Sequence, residues 1–215
     1  MQGIFYNNFD TSYIPEILTE IHRQRIYAPY LEGKKDLTIL DIGANIGLFS
    51  LYASQFAKKV YAIEPATEHI DVMNHMVKFN KLTDKITTFR MAIANKDGEM
   101  TLHHNNNVTM FSLNEAVADK SLPSETVPVM TLETFLNTHK IEHVDFMKLD
   151  IEGAEMDVIG GSTFENASKR IDSLVVEWHQ WSGRNASQLI TALSDYGYDV
   201  VHIPSDATLF GAKKR

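Results

Sequence analysis

Lys148, Asp150, Glu177 and His179 stand out in this 215-residue chain because each sits at or near the end of an apolar, strand-like run. Lys148 and Asp150 belong to Lys148-Leu-Asp-Ile-Glu-Gly-Ala-Glu155, after the run from Val144 to Leu149. Glu177 and His179 follow the run from Ile171 to Val176, and on extended backbone residues two apart face the same way. A carboxylate beside an imidazole can take a proton from a hydroxyl, with Glu177 orienting His179 as the base. The same groups, with Asp150, could instead ligate a divalent cation that lowers a hydroxyl's pKa. The metal-free base is the preferred assignment, so a metal is considered but not expected. Bland explanations compete: a surface ion pair beside a core Trp178, Lys148 satisfied by a carboxylate, and Glu152 and Glu155 as a solvated helix N-terminus.

A second motif precedes these. Leu37 to Leu40 form a run that stops at Asp41-Ile-Gly-Ala-Asn-Ile-Gly47, with a helix expected from about Ile46. Gly43 and Gly47 suit a sharp turn and a close backbone approach by a ligand, and the helix start offers unpaired amides. Another strand, Val60 to Ile63, ends in Glu64, 17 residues past Gly47, near the offset at which an acid meets a ribose hydroxyl in dinucleotide folds. Asn45 and Leu48 stand where G-x-G-x-x-G requires glycine, which disfavours a pyrophosphate. S-adenosylmethionine fits better, with Asp41 attracting its cationic groups and loop amides meeting its carboxylate. Met91 and Ala92, at the end of a third strand expected from Ile86 to Ile93, are candidates to touch the adenine.

These residues need a parallel sheet to bring strand ends together, and strand-like runs do alternate with helical patterns along the chain. Ile14, Ile17, Leu18 and Ile21 lie at helical spacing. They predict an N-terminal amphipathic segment over residues 1–35 that covers one face of a domain spanning 36–215. Phe49, Tyr52, Ala53 and Phe56 form a core stripe, and Ile70, Met73, Met76, Val77 and Phe79 belong to the next helical segment. The polar stretch from Asn105 to Glu125 is long enough to suggest a functional loop. His103 and His104 beside it read as solvated, since neighbours on a strand point to opposite faces.

Composition removes several classes. At 44% hydrophobic residues and a net charge of −8, the chain is an ordinary globular domain without a broad phosphate-gripping surface, so no nucleic-acid partner is expected. No apolar run is long enough for a membrane span and no secretory leader is visible, which reads as cytoplasmic. The absence of cysteine excludes disulfides, cysteine-ligated iron–sulfur chemistry and a thiol nucleophile.

The motif order resembles the FkbM-type S-adenosylmethionine-dependent methyltransferases, from about Leu37 to Phe210. The resemblance is carried by Asp41-Ile-Gly-Ala-Asn-Ile-Gly47-Leu-Phe-Ser, Ile63-Glu-Pro65, Asp145-Phe-Met-Lys-Leu-Asp-Ile-Glu-Gly-Ala-Glu155 and Val176-Glu-Trp-His179. It implies an α/β Rossmann-like three-layer sandwich of the class I methyltransferase type. Its sheet would be mostly parallel and seven-stranded, with a final antiparallel hairpin from Tyr198 to Ile203 and Ala207 to Gly211. It also implies that Asp41, Gly43, Asn45, Gly47 and Glu64 line the cofactor site, and that a hydroxyl is methylated, often on a sugar of a glycan or small glycosylated acceptor. Two rivals are a nicotinamide-dependent oxidoreductase and a noncatalytic nucleoside-binding module. Asp150-Ile-Glu-Gly153 does not match the Asp/Asn-Pro-Pro-aromatic pattern of amino methylation.

Overall fold

A computed structural model describes residues 12, 14–104, 111–113, 121–179 and 185–215. Much of the stretch from Asn105 to Glu125 lies outside the described residues. Seven strands form one sheet in the order β10-β11-β9-β8-β1-β2-β3. Its centre is β1 (Leu37–Ile42), flanked in parallel by β2 (Ala57–Ile63) and β8 (Phe146–Leu149). Beyond β2 lies β3 (Ile86–Phe89), and beyond β8 lies β9 (Ser173–Glu177), both also parallel to their neighbours. The hairpin of β10 (Tyr198–His202) and β11 (Leu209–Lys214) closes the sheet antiparallel against β9.

Period-two alternation sorts these strands into two cores. Leu40, Ile42, Met147, Leu149, Leu174 and Val176 face a layer that includes α5 (Leu132–Thr138), α6 (Glu155–Ile159), α7 (Ser162–Ser168) and α8 (Ala186–Asp195). Ile39, Phe146 and Val175 face the opposite layer, made by α3 (Leu48–Ala53), α4 (Thr67–Phe79) and the N-terminal segment. That segment comprises α1 (Ile14–Thr19), a π-helical turn Glu20–Gln24 and α2 (Ala28–Leu31). Ile21, Ile26, Tyr27, Tyr30 and Leu31 pack into the same core as β1. Its anchoring is strongest after residue 20, since α1 buries none of its side chains.

The expected third strand splits. After Phe89 the chain leaves the main sheet, and Arg90 turns outward to Thr67 Oγ1 (3.0 Å) and Glu125 Oε2 (2.8 Å). Ala92–Ile93 then forms β4 of a second sheet with β5 (Gly98–His104), β6 (Phe111–Ser112) and β7 (Ser124–Met130), in the order β4-β7-β5-β6. The apolar run from Ile86 to Ile93 hid the switch, because both halves pair, each with a different sheet. His103 lies half-buried in β5, opposite Ser112 and Ser124.

Candidate active site

The carboxyl ends of β1, β2, β8 and β9 converge on two adjoining cavities that share Gly43, Asn45, Asp150 and Glu152 as walls. The first is a narrow slot of about 50 Å³ running past Glu64, His69, Met91 and Ala92, with Leu102 and Leu113 of the second sheet's side as its cover. The second, of about 360 Å³, is lined by Lys148, Glu177 and His179 from the strand ends. Its far wall holds Glu16, Glu20 and Tyr27 of the N-terminal segment and Asp206 of the C-terminal hairpin. The sites expected at the two motifs therefore meet.

The loop after β1 is held by its own protein contacts. Gly43 and Ala44 both donate to Ile63 O (3.0 Å each), Asn45 N–H donates to Glu64 Oε2 (2.9 Å), and Ile46 N–H donates to Asn45 Oδ1 (2.7 Å). These amides are already engaged, contrary to the expectation that they meet a ligand carboxylate. Asn45 adopts a left-handed φ of 51°, a conformation asparagine tolerates better than most residues. Gly47 lines neither cavity. A Cβ there, at φ +87°, would stand 2.7 Å from the Met73 side chain, so its role is close packing of α3 against α4. Gly43 is required more strictly, because a Cβ would fall 1.6 Å from the carbonyl oxygen of Asp150. The two motifs touch backbone to backbone at that point.

Glu64 is buried, and its Oε1 accepts from Ala66 N–H (3.0 Å) and lies 3.5 Å from His69 Nδ1. An ionised carboxylate has about four acceptor positions, so the two amide bonds leave room for a ribose hydroxyl in the slot. Glu64→Ala should weaken nucleoside binding and also loosen the Asn45 loop. A charge-assisted bond of this kind is worth roughly 1.5–3 kcal/mol, about ten- to a hundredfold in dissociation constant. Calorimetry showing unchanged affinity would remove Glu64 from the cofactor contacts.

Asp41 does not reach either cavity. It is fully buried, its Oδ2 accepts from Ser50 Oγ (2.5 Å), and it stands in register beside Lys148 on the next strand. Burial raises its pKa, while Lys148 and the Ser50 bond oppose the rise. Lys148 in turn donates to Asp150 Oδ2 (2.8 Å) and Gly43 O (3.2 Å). Burial alone would lower the ammonium's pKa, but Asp150 and Asp41 hold it well above the usual lysine value. Lys148 is thus the permanent cation beneath the site, and its satisfaction by a carboxylate is the arrangement seen.

Glu155 is the largest surprise among the acids. It is buried rather than solvated, accepting from Ile151 N–H (3.2 Å) and Gly153 N–H (3.0 Å). Its Oε1 also pairs with His179 Nδ1 at 2.9 Å. On the other side of the ring, His179 Nε2 faces Glu152 Oε2 (3.5 Å), Glu177 Oε1 (3.7 Å) and Asp150 Oδ1 (3.9 Å). Desolvation works against the imidazolium, yet the Glu155 bond and the surrounding carboxylates raise its pKa to about 9. Held protonated in this arrangement, His179 becomes available as the expected base only as pH rises toward about 9. Asp150 and desolvation push Glu177 up to about 8, and desolvation followed by Asp150 does the same to Glu152.

Glu20, His69, Tyr27 and Asp206 were not legible as site residues. Glu20 and Tyr27 carry only a helix-pattern signal, and no spacing links them to residues more than a hundred positions away. Desolvation raises Glu20 to about 7, with Asp150, Asp206 and Glu16 adding to the rise and Lys148 opposing it. A carboxyl whose folded pKa is raised keeps its proton when the unfolded chain has lost it, so stability falls as pH climbs from about 4.5 to about 7. His179 acts with the same sign, since a folded pKa of about 9 gives stability that is lost as pH rises toward that value. Chelator-treated protein should therefore melt at steadily lower temperature from pH 6 to pH 9. Glu20→Gln should flatten the part below about 7. A melting temperature that rises with pH across this window would contradict the arrangement.

A parallel sheet ending in an antiparallel hairpin, with strand-end loops walling a slot and a chamber, defines the class I S-adenosylmethionine-dependent methyltransferase fold. The model of the Methyltransferase FkbM domain family matches residues 41–200, and the chain belongs to that family. Methyltransferase sdnD of Sordaria araneosa is 27% identical over 192 residues, covering 75% of this chain and 73% of its own length. Hexuronic acid methyltransferase AglP of Haloferax volcanii is 22% identical over 148 residues, covering 69% and 58%. The crystal structure of methyltransferase FkbM from Methylobacillus flagellatus superposes with a TM-score of 0.61 at 17% identity. That match covers 92% of this chain and 50% of the Methylobacillus one. Among the described residues no helix is long and apolar enough to cross a membrane.

Proposed function

We propose that this methyltransferase transfers the methyl group of S-adenosylmethionine to a hydroxyl oxygen of a small sugar-containing or glycan acceptor in the cytoplasm. The observation that carries this reading is the shared wall of the two cavities. A nucleoside placed in the slot beside Glu64, Met91 and Ala92 leads past Gly43 and Asn45 toward a chamber with room for a second reactant. The sugar acceptor draws support from the name of the Haloferax relative.

Transfer requires the acceptor oxygen in line with the methyl carbon and the departing sulfur. Holding two reactants so can lower the barrier by as much as roughly 7–11 kcal/mol. The hydroxyl must also lose its proton. Glu177 is placed to take it as pH rises toward its own raised pKa of about 8: its side chain is 31% exposed on the chamber, whereas His179, 3.7 Å away, is 6% exposed and holds its proton to about 9. His179 then orients Glu177, the reverse of the roles expected from spacing alone.

The cofactor is tested by titrating S-adenosylhomocysteine with NAD as control. At 100 times its dissociation constant a ligand stabilises the fold by about 2.7 kcal/mol, which a melting curve resolves. Stabilisation by NAD alone would instead support the redox alternative. With an acceptor in hand, Glu177→Gln should lower turnover by about 10²–10⁴ while cofactor affinity survives, and His179→Ala should lower it as well. Full turnover in Glu177→Gln would sink that role. Cofactor affinity without transfer to any acceptor would favour a noncatalytic binding module.

A further inference from the structure

The far wall of the larger chamber carries a hydroxyl that the protein leaves unpaired. Tyr27 is 3% exposed and lines that chamber. Its ring is held by a tilted contact with Phe49 (4.4 Å between centroids) and an edge contact with Phe146 (6.2 Å). Its hydroxyl makes no hydrogen bond among the described residues, whereas the buried Tyr198 hydroxyl donates to Ser168 O (3.0 Å) and lies 2.9 Å from Ile171 O. A buried phenol normally finds a partner. Burial is the first influence on the Tyr27 phenol and raises its pKa. The charges that act on it next are Lys148, Asp150, Glu20 and Glu177, which set the hydroxyl on the chamber side of the ring.

A second observation comes from another residue of the same wall. Glu20 starts the π-helical turn, a feature that recurs at functional sites, and its backbone is fixed. Its carbonyl accepts from the amides of Arg25 and Ile26, and Ile21 beside it is buried in the core. The side chain is half-buried on the chamber, yet its carboxylate has neither a hydrogen bond nor an ion pair among the described residues. Neighbouring groups are engaged elsewhere. Lys148 donates to Asp150 Oδ2 (2.8 Å), and Asp206 Oδ1 accepts from Thr208 N–H (2.7 Å) and Oγ1 (2.6 Å). Glu16, Glu20 and Asp206 therefore face Asp150, Glu152 and Glu177 across a space whose lysine is already taken.

We propose that Tyr27 and Glu20 recognise the acceptor, and that this acceptor is a sugar bearing a protonated amine. The ammonium meets Glu20, the Tyr27 hydroxyl bonds a sugar oxygen, and the hydroxyl to be methylated lies toward Glu177. The inference rests on the methyltransferase reading above and narrows its acceptor. An ammonium brings donors only, which suits a carboxylate that has none. A cation at Glu20 also favours the ionised carboxyl that desolvation disfavours. An anionic sugar meets the reverse, since its charge adds to that of both walls and like charges set against each other select against a partner. The charge on the acceptor is then opposite to that of the hexuronic acid in the Haloferax relative's name.

Three methyl glycosides test this, those of glucose, glucosamine and glucuronic acid, the last two differing from glucose at one carbon each. Binding to the full chain is read by saturation-transfer NMR with and without S-adenosylhomocysteine, and the position of any transferred methyl group by mass spectrometry. The glucosamine glycoside should bind about 10–100-fold more tightly than the glucose one, the difference made by a charge-assisted bond, and the glucuronic acid one more weakly than either. Glu20→Gln should reduce the preference for the amine to within about threefold, a selective loss that a loosened fold would not produce. Tyr27→Phe should weaken the glucose and glucosamine glycosides alike by about 2–10-fold. If that variant fails to fold, the Glu20→Gln comparison decides. Equal binding of the glucosamine and glucose glycosides, a preference that survives Glu20→Gln, methyl on the amine nitrogen, or no glycoside binding at about 20 mM would overturn the proposal. A parallel titration with S-adenosylhomocysteine keeps the two readings apart. A chain that binds the nucleoside without preferring the amine loses only this acceptor, and one that prefers the amine but does not bind the nucleoside loses only the cofactor assignment.

Discussion

Replacing Gly43 by alanine is expected to be the most damaging single-methyl change in the chain. The added carbon would lie 1.6 Å from Asp150 O and 2.7 Å from its carbonyl carbon, both backbone atoms. No rotamer change relieves such an overlap, so either β1 or β8 must shift at the end that forms the site. The φ of +76° adds the left-handed penalty of a Cβ. Overpacking costs about 1–3 kcal/mol and the left-handed conformation roughly 1–2, which together suggest a loss of about 2–5 kcal/mol. Against a typical total of about 5–15 kcal/mol that is a large fraction. Gly33→Ala separates the two contributions: its φ is +79°, but nothing lies within 4 Å of the added carbon. Chemical denaturation should show Gly43→Ala losing clearly more than Gly33→Ala, with cofactor affinity falling only in the former. Equal losses would mean that the contact between the two motifs is not what demands glycine.

Lys148→Met carries the second large effect. The ammonium lies between Asp41, its register neighbour on β1, and Asp150 at 2.8 Å. Removing one partner of a buried charge group commonly costs about 3–5 kcal/mol, chiefly through the charge left behind. Here the stranded charge is Asp41, which is fully buried and has one oxygen with no hydrogen-bond partner among the described residues. Two consequences distinguish this from lost packing. The deficit of Lys148→Met should shrink as pH falls, because protonating Asp41 removes the stranded charge, whose pKa burial already raises. Adding Asp41→Asn should restore part of the stability, giving a coupling of about 0.5–3 kcal/mol between the two positions. A pH-independent deficit with additive effects would mean that the lysine matters only for its bulk.

The parts that read correctly are those governed by local pattern. Period-two alternation and glycine punctuation located β1, β2, β8 and β9 to within three residues, and the offset from Gly47 to Glu64 placed the acid at the slot. The strand end at Phe89 was missed because an apolar run says that a segment pairs, not with which sheet. Glu155 was misjudged for a related reason. Acids in a helix's first turn are usually solvated, and only the approach of His179, 24 residues on, encloses this one.

By itself, the sequence determined the class of fold, the family, and the strand ends at which chemistry is placed, since hydrophobic period and turn residues are properties of neighbours in the chain. Only the tertiary structure decided how those ends are charged. It set Asp41 beside Lys148 across two strands, took the loop amides for internal bonds, and closed four carboxylates around one imidazole. A pKa depends on burial and on charges within a few ångströms, and residues that far apart in the chain acquire such neighbours only when the sheet forms.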